Sequence, residues 1–454
     1  MARQPNIILI NCDDLGFGDL GCYGSEVNDT PHLDRLAAEG TRFTEFYMAS
    51  PVCSPSRGAM MCGCYPPRIG FDKFTKGWVL FPGSPEGLST QETTFARSLK
   101  DAGYATQIVG KWHCGDQKEF LPTRHGFDHY YGLPYSNDMG RQKDRCIWPP
   151  LPLMRDEEVI EAQPDMASLT QRYVEESLRF MRDNKDGPFL LYFAHMYVHL
   201  PLIVPEHLAV RSRNGRYGAA VMAIDWATGM LMAELDRLGI ADDTLILFTS
   251  DNGSKAGEWG GSNGELRGTK GTTFEGGQRL PLIARWPGKV PAGRVCEELC
   301  ASLDLLPTFA TLAGSSLGDK QIDGLDVSEL LLGGDTSPRE YFAYFFQSDL
   351  DAIRDQRFKL HIGRANRDVK PWGREAICEL YDLKADPGET SNVAAEHPEV
   401  VARLQAAAAE LNAKLGPDGS ERRPVGMASQ PCPLTEYDEK HPYFAAEYDL
   451  SEAG

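Results

Sequence analysis

At 454 residues the chain is longer than one hydrophobic core ordinarily serves, so a large and a smaller domain are expected, and 42% hydrophobic with 24% charged residues is the composition of an ordinary soluble globular protein. A formal charge of −19 without a basic stripe excludes a nucleic-acid backbone as partner. The longest apolar runs, such as 7–10 and 189–194, are far too short to span a bilayer, which excludes a membrane segment.

In chain order, "MARQPNIILINCDD" holds one arginine and a four-residue apolar run that leads directly into polar residues, which is not the build of a signal peptide. As written, the chain is expected in the cytoplasm, and in a periplasmic or secreted setting only if the true start was removed. The 11 cysteines are an odd number with neither a disulfide-framework spacing nor a CxxC pair. Free thiols in a reducing compartment are expected, with Cys62 and Cys64 packed in a core. "NIILINC", "YATQIVG", "FLLYFAH" and "TLILFTS" are predicted as buried strands. "TTFARSLKDAG", "SLTQRYVEESLRFMRDN" and "YGAAVMAIDWATGMLMAELDRLG" repeat apolar residues at helical spacing and end at or near Gly or Asn. Asp225, in the third, is expected to cap or pair on a helix flank. "PVCSPSRGAMMCG" (51–63), with two prolines, fits neither helix nor strand. The alternation predicts an α/β fold with a large, mostly parallel sheet sandwiched by helices.

After "LDLLPTFATLAG" the character changes, and Gly333-Gly334 and Ser337-Pro338 punctuate a boundary near residue 335. The expected organisation is a catalytic domain over 1–335, a smaller α+β domain over 336–415 and a tail over 416–454. In the second, "EYFAYFF", "RFKLHIG" and "CELYDL" are predicted strands of an antiparallel sheet, with "PEVVARLQAAAAELNAKL" as one helix against it. The tail is polar and rich in Pro and Glu, so an irregular segment or a docking arm is expected.

In an open α/β sheet, ligands bind beyond the carboxyl ends of the strands. Three such ends carry polar clusters: Asp13-Asp14, Lys111-Trp112-His113 and Asp251-Asn252. Each alone suits a helix cap or a turn. Together, Asp13, Asp14, Asp251 and Asn252 supply only oxygen ligands, which suit a hard divalent cation such as calcium or magnesium. Lys111 and His113 stand two apart, so on an extended segment both point to one side. Of His195 and His199, one is expected to be a satisfied structural histidine, and His199, beside a Leu-Pro stop, is the functional candidate. "ELRGTKGTTFEGGQRLP" places Lys270 in a glycine-rich loop whose backbone can approach a ligand closely.

Cys53-Ser54-Pro55-Ser56-Arg57 resembles the signature of the type I sulfatases, in which the cysteine is oxidised after synthesis to formylglycine. The resemblance extends, in the family's order, to Asp13-Asp14, Lys111 with His113, His199, Asp251-Asn252 and Lys270, and "ELYDLKADPGETSNVA" resembles the family's C-terminal domain. "GLPYSNDMG" and the form of the Lys270 loop look closest to the arylsulfatase A group. It implies an alkaline phosphatase-like fold and hydrolysis of an aryl or carbohydrate sulfate monoester. It further implies a maturation enzyme that makes formylglycine from Cys53, and calcium, or magnesium, held by Asp13, Asp14, Asp251, Asn252 and residue 53. One hydroxyl of the hydrated aldehyde would attack sulfur, and re-formation of the aldehyde would expel sulfate. In that scheme Arg57 orients residue 53, His113 is its base, Lys111 and Lys270 hold sulfate oxygens, and His199 protonates the leaving oxygen.

Two rivals share these residues. One is a formylglycine-dependent hydrolase of phosphate diesters or phosphonate monoesters, and the other a silent binding protein in which Cys53 stays a thiol. Asn137, Asp138, Arg141, Glu258 and Trp259 are candidates for the pocket mouth by their position in loops near the motifs. The expected partners are a small anionic sulfate ester and the maturation enzyme, with a homo-oligomer left open.

Overall fold

The computed structural model describes residues 4–141, 148–257, 259–366 and 373–436, so Glu258 lies outside the described residues. Five parallel strands make the centre of the large sheet, in the order Thr244–Ser250, Asn6–Cys12, Phe189–Ala194, Ala105–Gly110 and His129–Gly132. They are near-continuous apolar runs because both faces are covered. The period of two splits Asn6–Cys12: Ile8 and Ile10 enter the core beneath helices Met166–Asp183 and Gly215–Leu238. Ile7 and Leu9 enter the opposite core, under Phe95–Asp101 and Leu305–Ala313.

Both edges turn antiparallel, which makes the whole sheet mixed. Arg279–Arg285 runs against Thr244–Ser250 and against Thr41–Tyr47, while Pro152–Arg155 and Glu158–Ala162 form a hairpin on the other side. Helix Gly215–Leu238 corrects one sequence expectation, because by length and composition it could cross a membrane. Here it is a core helix, with Ala219, Ala223, Ile224, Ala227 and Leu231 buried against the sheet.

A second correction concerns the stretch 51–63, which contains the helix Cys53–Cys62. Pro55 is its third residue, inside the first turn, where an N–H has no intrahelical acceptor and proline removes nothing. Gly63 ends the helix with a φ of 61° and donates its N–H to Ala59 O. Cys62 and Cys64 are free, buried thiols of the core.

The C-terminal sheet is antiparallel, in the order Phe342–Phe346, Asp349–Arg354, Phe358–Asn366 and Gly373–Asp382. Helix Pro398–Leu415 packs Leu404 and Ala408 into the same core as Tyr344, Ile353 and Leu360. Beyond it the chain returns to the large domain. Arg422 pairs with Asp72 and Arg423 with Glu92, and Gly426–Met427 adds to Glu86–Gly87. Cys432 and Gln117 exchange hydrogen bonds, and Thr435 donates to Pro150 O, so the described part of the tail is a docked arm.

Candidate active site

The polar residues after the central strands continue the backbone ladder by one step, which fixes them side by side. Asp251 N donates to Cys12 O at 3.0 Å, Asp13 N to Tyr197 O at 2.9 Å and Lys111 N to Ala194 O at 2.7 Å. Asp14 and His113 then take left-handed conformations, φ 64° and 58°, costly for residues with a Cβ and characteristic of functional turns. His113 therefore does not extend the strand.

Cys53 begins its helix with its thiol 3.5 Å from Lys270 Nζ. That ammonium lies 2.6 Å from Asp14 Oδ1, and Lys111 Nζ lies 2.5 Å from Asp13 Oδ2. Asn252 Nδ2 donates to Asp14 Oδ1 at 2.7 Å. Arg57, one turn after Cys53, binds Asp251 through Nε at 2.8 Å and the Lys111 carbonyl through Nη1 at 3.0 Å. Its bonds thus brace the acidic wall. His199 donates Nδ1–H to Leu200 O at 2.7 Å, which turns Nε2 toward Asp14 Oδ2, 3.8 Å away. Ligand atoms of Asp13, Asp14, Cys53 and His199 all fall within 4.8 Å of one another. His199 thus joins the cluster expected to hold a metal.

Burial and charge set the protonation states. Burial alone would raise Asp13, but Lys111, His199, Arg57 and Lys270 hold it well below the usual carboxylate range. Burial and the neighbouring Asp13 push Asp251 up to about 6 against the pull of Arg57. Burial opposes the charge on Lys111 and Lys270, yet Asp13 and Asp14 keep both above the usual lysine value. Burial pushes the Cys53 thiol up to about 12 despite the two lysines. A thiol so placed is protonated at neutral pH and a poor nucleophile. Burial, then Lys111, drives His113 far below the usual histidine value, so its ring is neutral. Its Nε2–H donates to Leu80 O at 3.0 Å, and Nδ1, with no hydrogen-bond partner among the described residues, keeps a free lone pair.

The site fits a divalent cation. Asp13 Oδ1 and Asn252 Oδ1 are buried oxygens without hydrogen-bond partners among the described residues, beside the Asp14 and Asp251 carboxylates. Three carboxylates face the three fixed cations Arg57, Lys111 and Lys270, so a divalent ion leaves a net of +2 to meet an anion.

His195 is the structural histidine: it is buried, contacts Thr170 Oγ1 at 3.1 Å, accepts from Tyr197 N at 3.0 Å and is pushed by burial to about 3. Asp225 accepts from His32 N and Leu33 N, capping helix Pro31–Ala38 across the interface. Of the loop residues expected at the mouth, Asn137 and Arg141 are buried, while Asp138 and Trp259 are half-buried. Asn137 donates to His199 O at 3.3 Å. Ser136 also belongs to the site, its hydroxyl 3.3 Å from Lys111 Nζ and 3.5 Å from His199 Nδ1. A lone serine carries no signal beyond its place in "GLPYSNDMG". Leu80, which holds His113, acts through its carbonyl and carries none at all.

The profile of the sulfatase family matches residues 5–315, and that of the N-sulphoglucosamine sulphohydrolase C-terminal region matches residues 269–414. Arylsulfatase A of Homo sapiens is 40% identical over 450 residues, covering 89% of this chain and 87% of the relative. N-acetylgalactosamine-6-sulfatase of Canis lupus familiaris is 38% identical over 447 residues, covering 94% and 83%. The crystal structure of the PsFucS1 sulfatase from Pseudoalteromonas sp. superposes with a TM-score of 0.83 at 28% identity, over 93% of this chain and 92% of that one. The phosphonate monoester hydrolase of Agrobacterium radiobacter is more distant, sharing the fold at a TM-score of 0.63 and 20% identity over 90% and 95% of the two chains. The strand-end residues, the Cys53 helix and the profile match agree: the chain belongs to the sulfatase family.

Proposed function

We propose that this sulfuric ester hydrolase cleaves an aryl or carbohydrate sulfate monoester at residue 53, after a maturation enzyme has oxidised Cys53 to formylglycine. The observation that carries the reading is the buried Cys53 thiol, 3.5 Å from Lys270 and grouped with Asp13, Asp14 and His199. As a thiol it is held near 12, and attack by it would leave a thiosulfate-like ester with no easy exit. Formylglycine there supplies a hydrated aldehyde, with one hydroxyl to attack sulfur and a second whose deprotonation releases sulfate. His113 Nδ1, neutral and uncommitted, takes that proton. Lys111 and Lys270 hold sulfate oxygens, and His199 delivers a proton from Nε2 to the leaving oxygen. Asp13, Asp14, Asp251 and Asn252 hold calcium, or magnesium, which supplies Lewis-acid charge when bound. Arg57 keeps Asp251 in place. The phosphonate rival shares the candidate residues, but its relative stands at 20% identity against 40% and 38% for the two sulfatases.

The test is protein produced with and without a formylglycine-generating enzyme. Mass analysis of the peptide around Cys53 should show the aldehyde in active protein only, with nitrophenyl sulfate turned over faster than a nitrophenyl phosphodiester. Full activity with an intact thiol, or the reverse substrate order, overturns the reading. Metal analysis should find calcium or magnesium, and stoichiometric zinc alone would contradict the ligand set.

A further inference from the structure

We propose that the C-terminal sheet sets the position of Lys270, with Lys359 and Glu389 as positioning residues for sulfate hydrolysis, an inference that rests on the role given to Lys270 above. In the loop 267–275, Gly268 and Gly271 flank Lys270 with φ of 83° and 78°, and Thr272 N donates to Thr269 O at 3.0 Å, so the turn is closed from within while its seat against the site is set by its neighbours. On its inner side two main-chain bonds hold it: Lys270 N donates to Ser254 O at 3.1 Å, and Gly271 N to Pro51 O at 2.9 Å, two residues before Cys53.

On its outer side the anchors come from residues 351–389. Lys359 Nζ donates to Thr273 O at 2.9 Å and lies 2.9 Å from Glu275 Oε1. Glu389 accepts from Glu275 N at 2.8 Å through its carboxylate and from Arg267 Nη1 at 2.8 Å through its carbonyl. Asp351 accepts from Thr273 Oγ1 at 3.1 Å. Lys359, Glu275 and Glu389 are fully buried, Lys359 lies 3.0 Å from Glu389, and His361 Nε2 sits 2.6 Å from the same carboxylate. With Glu45, Arg279 and Arg354, the interface buries a set of acids, Asp351 among them, against Lys359 and the two arginines. Apolar residues would seal two domains at least as well as such a set, so its directional bonds to one loop call for a reason other than adhesion. That reason is the loop's cargo, since a displacement of about 1 Å at a catalytic group costs on the order of a hundredfold.

The experiment is a double-mutant cycle in the mature enzyme. The paired variant Lys359→Met with Glu389→Gln removes one buried charge of each sign, which keeps the interior balanced, and is made with Lys270 present and in Lys270→Ala. With Lys270 present, kcat/KM on nitrophenyl sulfate should fall about 10- to 100-fold. In the Lys270→Ala enzyme the same pair should cost less than about threefold, because the group it positions is gone. Any structural weakening lowers the melting temperature equally in both backgrounds. Equal falls in kcat/KM overturn the inference. Lys270→Ala with normal activity overturns the catalytic reading first and the inference with it. Thr273→Val, which deletes one loop anchor and leaves Asp351 its ion pair with Arg374, should give the same non-additive pattern at smaller size, and it decides the question if the paired variant fails to fold.

Discussion

His113 and His199 are held through opposite nitrogens, each by a main-chain carbonyl. Leu80 O occupies Nε2 of the first and Leu200 O occupies Nδ1 of the second, so one ring offers a lone pair and the other an outward Nε2. A leaving-group acid matters only where the leaving group needs a proton. His199→Ala should cost a sugar sulfate about a hundred- to ten-thousandfold in rate and nitrophenyl sulfate far less, while His113→Ala slows both alike. Equal losses for His199→Ala on the two substrates would rule out the acid role. Unmatured protein offers a second check. Cys53, held near 12 and 2% exposed, should resist iodoacetamide at pH 7 under conditions that alkylate exposed Cys378, as peptide mass analysis would show; equal labelling contradicts the burial. At this scale the sequence was most legible where chemistry demands a rare side chain at a strand end, as at Asp13, Lys111 and Asp251. It was silent where a main-chain carbonyl or a common hydroxyl does the holding, as at Leu80 and Ser136.

Apolar strands and long amphipathic helices were also legible, because a buried parallel strand must be apolar on both faces. The edges were not. "TRFTEFY" and "RLPLIAR" carry charges that pair inside the fold, including Arg279 with Glu45, and such strands look like loops until their partners are known. The helix at Cys53 was hidden by a proline that its first turn tolerates. Gly110 shows how tightly one strand end is built. Its φ is 113°, and a Cβ there would lie 1.9 Å from Ala194 O, the acceptor of Lys111 N. Gly110→Ala should therefore destabilise by about 3 kcal/mol or more and displace Lys111, with loss of activity. A urea midpoint and activity close to those of the parent would refute this account of the strand end.

Across the whole molecule, the net charge of −19 is compatible with an anion-binding centre because that centre balances its own carboxylates. The arm after Leu415 closes the far side by a comparable logic. Asp72 and Glu92 are buried, and their arginine partners both come from the arm. Ending the chain at residue 415 removes Arg422 from Asp72 and leaves Glu92 the longer contact with Lys320 at 3.7 Å, which should lower the denaturation midpoint. An unchanged midpoint would show the arm to be a passenger.

The clamp on the Lys270 loop also has a history in time. Pro51, against which that loop closes, leaves the ribosome early, whereas Glu389 emerges 336 residues after Cys53. At about 5–20 residues per second, roughly 20 to 70 seconds pass between the two events. Until they have passed, the loop that shields Cys53 has no outer anchor. An enzyme acting on Cys53 is expected to find it within that interval and to be shut out afterwards, so the fraction of matured protein should rise when synthesis is slowed and stay fixed once the chain is complete.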